Sequence, residues 1–275
     1  MINLMYITNR PEIAQIAEDA GIDWIFVDME FIGKDARQGG LDTVQNHHTA
    51  EDVKKIKSAL HKAKVLVRVN PIHDALPDYP SSEEEISAVI EAGADIVMLP
   101  YFKRKKEVER FISCVSRRAK TCLLLETPEA AEILDEIIEI PGIDMIHIGL
   151  NDMHLALGMK FMFELLADGS VDAWTQTIKK KNIKFGFGGL ASLDGGLIPG
   201  RMILKEHYRL GSEMVIVSRA FCNTDKTCDL KEIRNIFTKG IEEIRCLESK
   251  TKKMKEIDFA LNHSEVVTAV SKIVS

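Results

Sequence analysis

The sequence lacks the features that mark several large classes of protein. Its five cysteines are an odd number and form no CxxC pair, so neither a disulfide framework nor a thiolate zinc site is indicated. No apolar run approaches the roughly 20 residues that span a bilayer, and no basic segment precedes an apolar one at the N-terminus. The formal net charge is −6, which does not favour a nucleic-acid surface. We therefore expect a cytoplasmic protein that binds neither nucleic acid nor membrane.

What the sequence does contain is an alternation of short apolar runs with amphipathic stretches, which is typical of repeated βα units. Eight such units can be counted, and 275 residues accommodate a single eightfold barrel of about 250 residues. We predict an α/β protein whose catalytic domain is a (β/α)8 TIM barrel over residues 1–246. Residues 247–275 are predicted to form a C-terminal helical extension, which either packs as a last helix or docks on a neighbouring subunit.

Two acids follow neighbouring apolar runs near the middle of the chain. Glu126 comes directly after the run at 121–125, and Asp152 lies a few residues past the run at 144–148. A strand, a crossover helix and a second strand form a right-handed unit with parallel strands, so both carboxylates should lie at one mouth. Converging carboxylates are costly without a cation, and oxygen ligands suit Mg²⁺ or Mn²⁺. Alternatively, both acids merely flank or cap helices and turns.

Other ionisable residues lie at predicted strand ends, where barrel enzymes build their active sites. Arg68 stands in an apolar strand, so an inward guanidinium there needs a partner. That partner is either a ligand carboxylate or keto oxygen, or a structural ion pair with Glu30 or Glu126. His47 and His48 lie in a long connection over the mouth, where either is a candidate general base or simply part of a polar loop.

Glycines and histidines elsewhere give weaker signals. Gly186, Gly188 and Gly189, with Ser218 across from them, fall where many barrels bind a phosphate. Their spacing is not the GxGxxG of a dinucleotide fold, and room for a neighbouring side chain explains such glycines more simply. His147, like the remaining histidines, has no metal-ligand spacing, and we predict it to be structural or on the surface.

With these residues in place, the chain resembles the HpcH/HpaI aldolase and citrate lyase family over roughly residues 1–222. Members of that family are metal-dependent barrels that make or break carbon–carbon bonds next to a 2-oxo acid, usually through a pyruvate enolate. They often assemble as homo-oligomers, from dimers to hexamers. The resemblance rests on five segments in order: DWIFVDME (23–30), LVRVNP (66–71), EAGADIVMLP (91–100), LLLETPEA (123–130) and IHIGLNDMHLALG (146–158).

The resemblance also implies roles for particular residues. Glu126 and Asp152 would bind Mg²⁺, Mn²⁺ or another divalent metal. Glu30 would lie next to the metal ligands without binding the ion itself. Arg68 would steady the keto oxygen of a small 2-oxo acid substrate and of its enolate. The substrate carboxylate would be received by backbone N–H groups of Gly149, Leu150, Asn151 and Asp152.

Two positions depart from the family pattern. The aldolase branch has a basic histidine directly after the DxE glutamate, but this chain has Phe31 there, and a glutamine two residues before the metal glutamate is Leu124. His47 or His48 is then the expected base. We predict a metal-dependent lyase or aldolase acting on a 2-oxo acid or its aldol adduct. The alternatives are a citryl-CoA or malyl-CoA type thioester lyase, or a non-catalytic barrel that binds a carboxylate.

Overall fold

A computed structural model describes residues 1–33, 48–224 and 226–275. Eight parallel strands pair in chain order and close into a barrel, because the last strand pairs with the first. The predicted (β/α)8 architecture is confirmed. The strands are β1 (Asn3–Ile7), β2 (Trp24–Asp28), β3 (Lys64–Arg68), β4 (Ile96–Leu99), β5 (Lys120–Leu125), β6 (Met145–Ile148), β7 (Lys184–Leu190) and β8 (Met214–Val217).

Helices connect the strands on the outside of the barrel. Two short helices lie between β5 and β6, where the sequence predicts one longer helix. The helices of the described residues are α1 (Pro11–Ala20), α2 (Ala50–Ala59), α3 (Ser82–Glu91), α4 (Lys105–Val115), α5 (Pro128–Glu132), α6 (Leu134–Ile137), α7 (Leu150–Ala156), α8 (Glu164–Ala167), α9 (Ser170–Lys179), α10 (Gly200–Leu210), α11 (Leu230–Thr251) and α12 (Glu256–Val274).

The barrel lumen is filled by apolar side chains below its C-terminal mouth. Side chains alternate between the two faces of a strand, so residues two apart point the same way. Arg68 therefore follows the buried Leu66 into the lumen, and His147 follows Met145. The lumen cluster consists of Met5, Trp24, Phe26, Leu66, Ile96, Met98, Cys122, Leu124, Met145 and Met214. Arg68 and His147 are thus placed above an apolar cluster that fills the lumen.

The C-terminal part of the chain packs on its own barrel. Helix α11 continues through residue 246, where we predict the domain boundary, and α12 lies against α10. The buried carboxylate of Glu206 on α10 accepts a hydrogen bond from Asn262 Nδ2 at 2.8 Å and lies 2.9 Å from His263 Nδ1. Within the described residues, no helix combines the length and apolar character needed to cross a membrane.

Candidate active site

A cavity of about 390 Å³ lies at the C-terminal ends of the barrel strands. It is lined by Arg68, Glu126 and the start of α7, so the structure brings together the residues that the sequence places at one mouth. Ser218 and Arg219, which follow β8, line the same cavity. The residues predicted to bind metal or substrate that line it are Arg68, Glu126, Gly149, Leu150, Asn151 and Asp152.

Arg68 points into the barrel and is held by two buried acids. Its Nε and Nη2 donate to the two oxygens of Asp28 at 2.7 and 2.8 Å, and its Nη1 lies 3.2 Å from Glu30 Oε2. The strand register places Asp28 directly opposite Arg68. The main structural partner of Arg68 is thus Asp28, with Glu30 second. From the sequence we predict Glu30 or Glu126 as the structural partner.

Arg68 remains able to bind a ligand despite these contacts. A guanidinium has five N–H groups, so donors remain for the cavity that it lines. Burial alone would lower the pKa of Arg68, but the negative charges of Asp28 and Glu30 outweigh burial and hold the pKa well above its usual value. The side chain is therefore a permanent cation fixed in position at the wall of the cavity.

Glu126 follows β5 and is 3% exposed. Its Oε1 accepts a hydrogen bond from the backbone N–H of Tyr101 at 2.9 Å. Tyr101 has a φ of 47°, in the left-handed region that non-glycine residues rarely adopt. Backbone strain of this kind is found at functional sites, where the surrounding structure enforces it. Here the strained residue orients a carboxylate at the mouth of the barrel.

The start of α7 approaches Glu126 closely because residue 149 is glycine. A Cβ atom built on Gly149 would lie 2.8 Å from Glu126 Cβ and 3.0 Å from its Oε2. The N–H of Gly149 donates to Leu125 O at 2.9 Å, so it is already used in the barrel. No side chain caps α7. The hydrogen-bond donors for an anion in the cavity would therefore be backbone N–H groups of the first turn, those of Leu150 and Asn151.

Of the two histidines predicted as candidate bases, the structure describes only His48. His47 lies outside the described residues. His48 Nδ1 accepts a hydrogen bond from the backbone N–H of Asp28 at 3.0 Å, so the lone pair of this ring nitrogen is already used. His48 lines a second cavity of about 210 Å³, which shares Arg68 and Arg219 with the first. It thus lines a neighbouring cavity and not the one that contains Glu126 and Asp152.

His147 lines the main cavity, contrary to our expectation of a merely structural or surface residue. It is 1% exposed, and its Nε2 lies 3.3 Å from Gly188 O. Burial lowers the pKa of His147 to about 4, against the hydrogen bond to Gly188, and the nearby charge of Arg68 also lowers it. The ring is therefore neutral at pH 7. Strand parity was the signal available in the sequence, because His147 shares a face with Met145 and Gly149.

Glycines of β7 serve packing more clearly than phosphate binding. A Cβ atom on Gly186 would lie 2.1 Å from Met214 O, so only glycine lets β7 and β8 approach here. Gly188 and Gly189 line the cavity, and Gly188 provides the carbonyl that His147 contacts. The interpretation that these glycines leave room for neighbouring groups is confirmed for Gly186.

Two histidines of the described residues, His147 and His207, are fully buried, so we predict a loss of stability in mild acid. Burial lowers the pKa of His147 to about 4 and that of His207 to about 3, against an ordinary value of 6.5. As the pH falls below 6.5, each histidine therefore takes up a proton in the unfolded chain before it does so in the folded chain. The stability that is present above pH 6.5 is lost as the pH falls. From pH 6.5 to pH 5 the free energy of unfolding should fall by about 1.5 kcal/mol per histidine.

Urea unfolding at each pH measures this loss. His207 stacks on Phe187 with ring centroids 3.8 Å apart, so phenylalanine should be tolerated at residue 207. Between pH 6.5 and pH 5, the free energy of unfolding of H207F should fall by roughly half as much as that of the original chain, because one of the two buried rings is gone. An unchanged dependence would show that His207 does not titrate as a buried group.

The donor set fits a hard divalent cation. Glu126 and Asp152 offer carboxylate oxygens to one cavity, and the glycine at 149 leaves space beside Glu126 Oε2. Across residues 1–33, 48–224 and 226–275 no three ligating side chains are gathered together. Mg²⁺ commonly binds through one or two carboxylates and completes its shell with waters and substrate oxygens. Two acids at an open cavity therefore suit Mg²⁺ or Mn²⁺ bound partly by water or substrate oxygens. They suit less well an ion whose ligands all come from the protein.

Sequence comparison gives one clear match. The profile of the HpcH/HpaI aldolase/citrate lyase family matches residues 3–165, which is more than half of the chain and includes Arg68, Glu126 and Asp152. No curated protein matches the sequence.

Solved structures share the fold at low sequence identity. A HpcH/HpaI aldolase/citrate lyase family protein from Burkholderia cenocepacia J2315 is 14% identical, with a TM-score of 0.62 over 85% of this chain and 95% of that one. A HpcH/HpaI aldolase from Desulfitobacterium hafniense DCB-2 is 15% identical, with a TM-score of 0.57 over 93% and 94%. Citrate synthase SbnG is 14% identical, with a TM-score of 0.60 over 85% and 93%. At such identities the likeness establishes the barrel fold.

Proposed function

The chain belongs to the HpcH/HpaI aldolase/citrate lyase family of carbon–carbon lyases, and we propose that it acts on a 2-oxo acid or its aldol adduct with a divalent metal. The observation that carries the proposal is the convergence of Glu126, Asp152 and Arg68 on one cavity. Two carboxylates and one fixed guanidinium provide a place for a cation and for a substrate oxygen that gains negative charge. Mg²⁺ and Mn²⁺ are the ions that this donor set suits.

Each part of the site has a distinct task in this proposal. Glu126 and Asp152 would hold the ion, which when bound supplies Lewis-acid stabilisation of negative charge on the keto oxygen. Arg68 donates to the same oxygen from a fixed position, because Asp28 and Glu30 hold its side chain in place. Charge stabilisation by groups oriented in advance is the largest contribution in many enzymes, since little reorganisation is needed.

The substrate carboxylate would be received at the start of α7. Leu150 and Asn151 line the cavity, and first-turn N–H groups of a helix have no partner within the helix. The partial positive charge at a helix N-terminus favours an anion there. The substrate would then be bound at one end by this turn and at its keto oxygen by Arg68.

Metal removal tests the proposal. We expect the purified protein to release pyruvate from oxaloacetate or from 4-hydroxy-2-oxo acids when Mg²⁺ or Mn²⁺ is present. EDTA should abolish the activity, because without a cation Glu126 and Asp152 repel an enolate. Added Mn²⁺ should restore it. Pyruvate release is followed with a coupled dehydrogenase assay, and activity that persists in EDTA after dialysis would rule out the metal role.

A further inference from the structure

His147 lines the proposed catalytic cavity, and one of its ring nitrogens is an unused hydrogen-bond acceptor. Its Nδ1 has no hydrogen-bond partner among the described residues and is shielded from solvent. The other ring nitrogen, Nε2, faces the carbonyl oxygen of Gly188 at 3.3 Å. A carbonyl accepts hydrogen bonds only, so the proton of the neutral ring belongs on Nε2 and the lone pair on Nδ1. A buried acceptor left without a donor is destabilising, so a ligand that supplies the donor is favoured at this atom.

The kind of group that would satisfy Nδ1 follows from its lone pair. A carboxylate or a keto oxygen has no proton to donate, so the 2-oxo acid portion of the substrate is not its partner. A hydroxyl group does carry a proton, so it can donate to Nδ1. The aldol adduct of a 2-oxo acid carries such a hydroxyl, on the carbon whose bond is broken during cleavage.

Other candidate bases are less well placed among the described residues. Phe31 has no proton-accepting group, and His48 uses its Nδ1 to accept the N–H of Asp28. His48 also lines the neighbouring cavity and not the one with Glu126 and Asp152. His147 is the histidine that lines the main cavity within the described parts of the chain.

We infer that His147 binds the hydroxyl group of the aldol adduct and accepts its proton as the carbon–carbon bond breaks. This inference rests on the proposed function. The O–H electron pair forms the new carbonyl of the aldehyde, and the pair of the broken carbon–carbon bond stays on the 2-oxo fragment as an enolate. The proton on Nδ1 then passes to the enolate carbon, which gives the free 2-oxo acid and restores the neutral ring.

Two reactions of one enzyme separate this role from a general effect on the site. Cleavage of 4-hydroxy-2-oxopentanoate needs a group that removes the hydroxyl proton, whereas decarboxylation of oxaloacetate forms the same kind of enolate without one. In H147Q, glutamine keeps an N–H for Gly188 but offers no base. We expect cleavage to fall by about 10²- to 10³-fold, the range of general-base catalysis, and decarboxylation by less than about tenfold.

Variants and a binding measurement control for folding. H147F keeps a ring of similar size and should show the same split between the two reactions. H207F changes another buried histidine, outside the cavity, and should alter both rates by a similar small factor. Oxalate binding in Mg²⁺, measured by calorimetry, should be similar in every variant if the enolate site is intact.

The possible results are distinguishable. Equal loss of both reactions in the His147 variants, or unimpaired cleavage, would overturn the role of His147. An original chain that decarboxylates oxaloacetate but leaves 4-hydroxy-2-oxopentanoate intact would also overturn it, while retaining the enolate chemistry. A chain that performs neither reaction in Mg²⁺ or Mn²⁺ would refute the proposed function itself.

Discussion

Replacement of Arg68 by methionine should lower the free energy of unfolding by about 3–5 kcal/mol, the range seen when one partner of a buried ion pair is removed. Asp28 and Glu30 are 1% and 0% exposed, and the variant removes the guanidinium that balances their charges. Methionine fills much of the same volume, so the loss reports the charge imbalance more than a cavity. Urea unfolding at pH 7 measures it.

A surface arginine provides the matched control. Arg110 forms ion pairs with Asp74 and Glu83 on the outside of the barrel. Exposed pairs of this kind contribute about 0–1 kcal/mol, so R110M should be much milder than R68M. Equal destabilisation by the two substitutions would show that burial of the Arg68 cluster has little energetic consequence.

The same Arg68 substitution should also lower kcat for pyruvate release by about 10²- to 10³-fold, the range for removing one donor to a developing oxyanion. Stability and catalysis can be separated by neutralising the acids. R68M combined with D28N and E30Q should recover much of the lost stability, because the two buried carboxylates that pair with Arg68 are neutralised as well. It should remain inactive, since no donor replaces the guanidinium. Recovery of activity together with stability would show that Arg68 is structural only.

Simple periodicity was enough to predict the barrel and the outline of the cavity. Alternation along β3 places Arg68 in the lumen after Leu66, and the parallel crossover rule brings Glu126 and Asp152 to one edge. Both inferences need only local patterns, since side-chain direction and crossover handedness follow from backbone geometry. Hence the two acids and the arginine could be placed at one mouth from the sequence.

The partners of these residues were harder to predict. Asp28 lies opposite Arg68 because of the register between β2 and β3, and register is a tertiary property that hydrophobic pattern fixes only in part. The left-handed backbone of Tyr101, which directs an N–H at Glu126, leaves no sequence signal at a non-glycine position. Contacts between separate strand ends therefore had to come from the structure.

His147 was missed for a different reason. A single histidine within a strand has no metal-ligand spacing, so its type and position give no sign of a ligand. The parity of β6 would have found it, because residues 145, 147 and 149 share the face that leads from the lumen cluster to the cavity. The role of His47 stays a prediction, since that residue lies outside the described parts of the chain.

Replacement of Glu126 by glutamine should separate metal binding from folding. Glutamine keeps an oxygen for the N–H of Tyr101 and nearly the same volume, but it removes one of the two carboxylate charges available to a cation. We expect Mn²⁺ affinity, measured by calorimetry, to fall by about 10- to 100-fold or more, since substitutions of groups that merely support metal ligands already reach that range. The rate of pyruvate release at a fixed, modest Mn²⁺ concentration should fall with it.

The thermal stability of the same variant distinguishes a ligand from a structural acid. If Glu126 serves the metal, the metal-free E126Q protein should unfold at the same or a higher temperature than the original chain, because a buried charge has been removed from an acidic mouth. At the same modest concentration, added Mn²⁺ should then raise the melting temperature of the original chain more than that of E126Q, since the stabilisation by a ligand falls as its affinity falls.

An exposed neighbour completes this test. Glu129 lies three residues further on and pairs with Lys103 at the surface, so E129Q makes the same chemical change close by without reaching the cavity. It should retain Mn²⁺ affinity, the Mn²⁺-dependent rise in melting temperature and the rate of pyruvate release. An E126Q protein that gains as much thermal stability from Mn²⁺ as the original chain would place the ion elsewhere, because a cation held by the proposed pair cannot bind unchanged when one of its two carboxylates has become an amide.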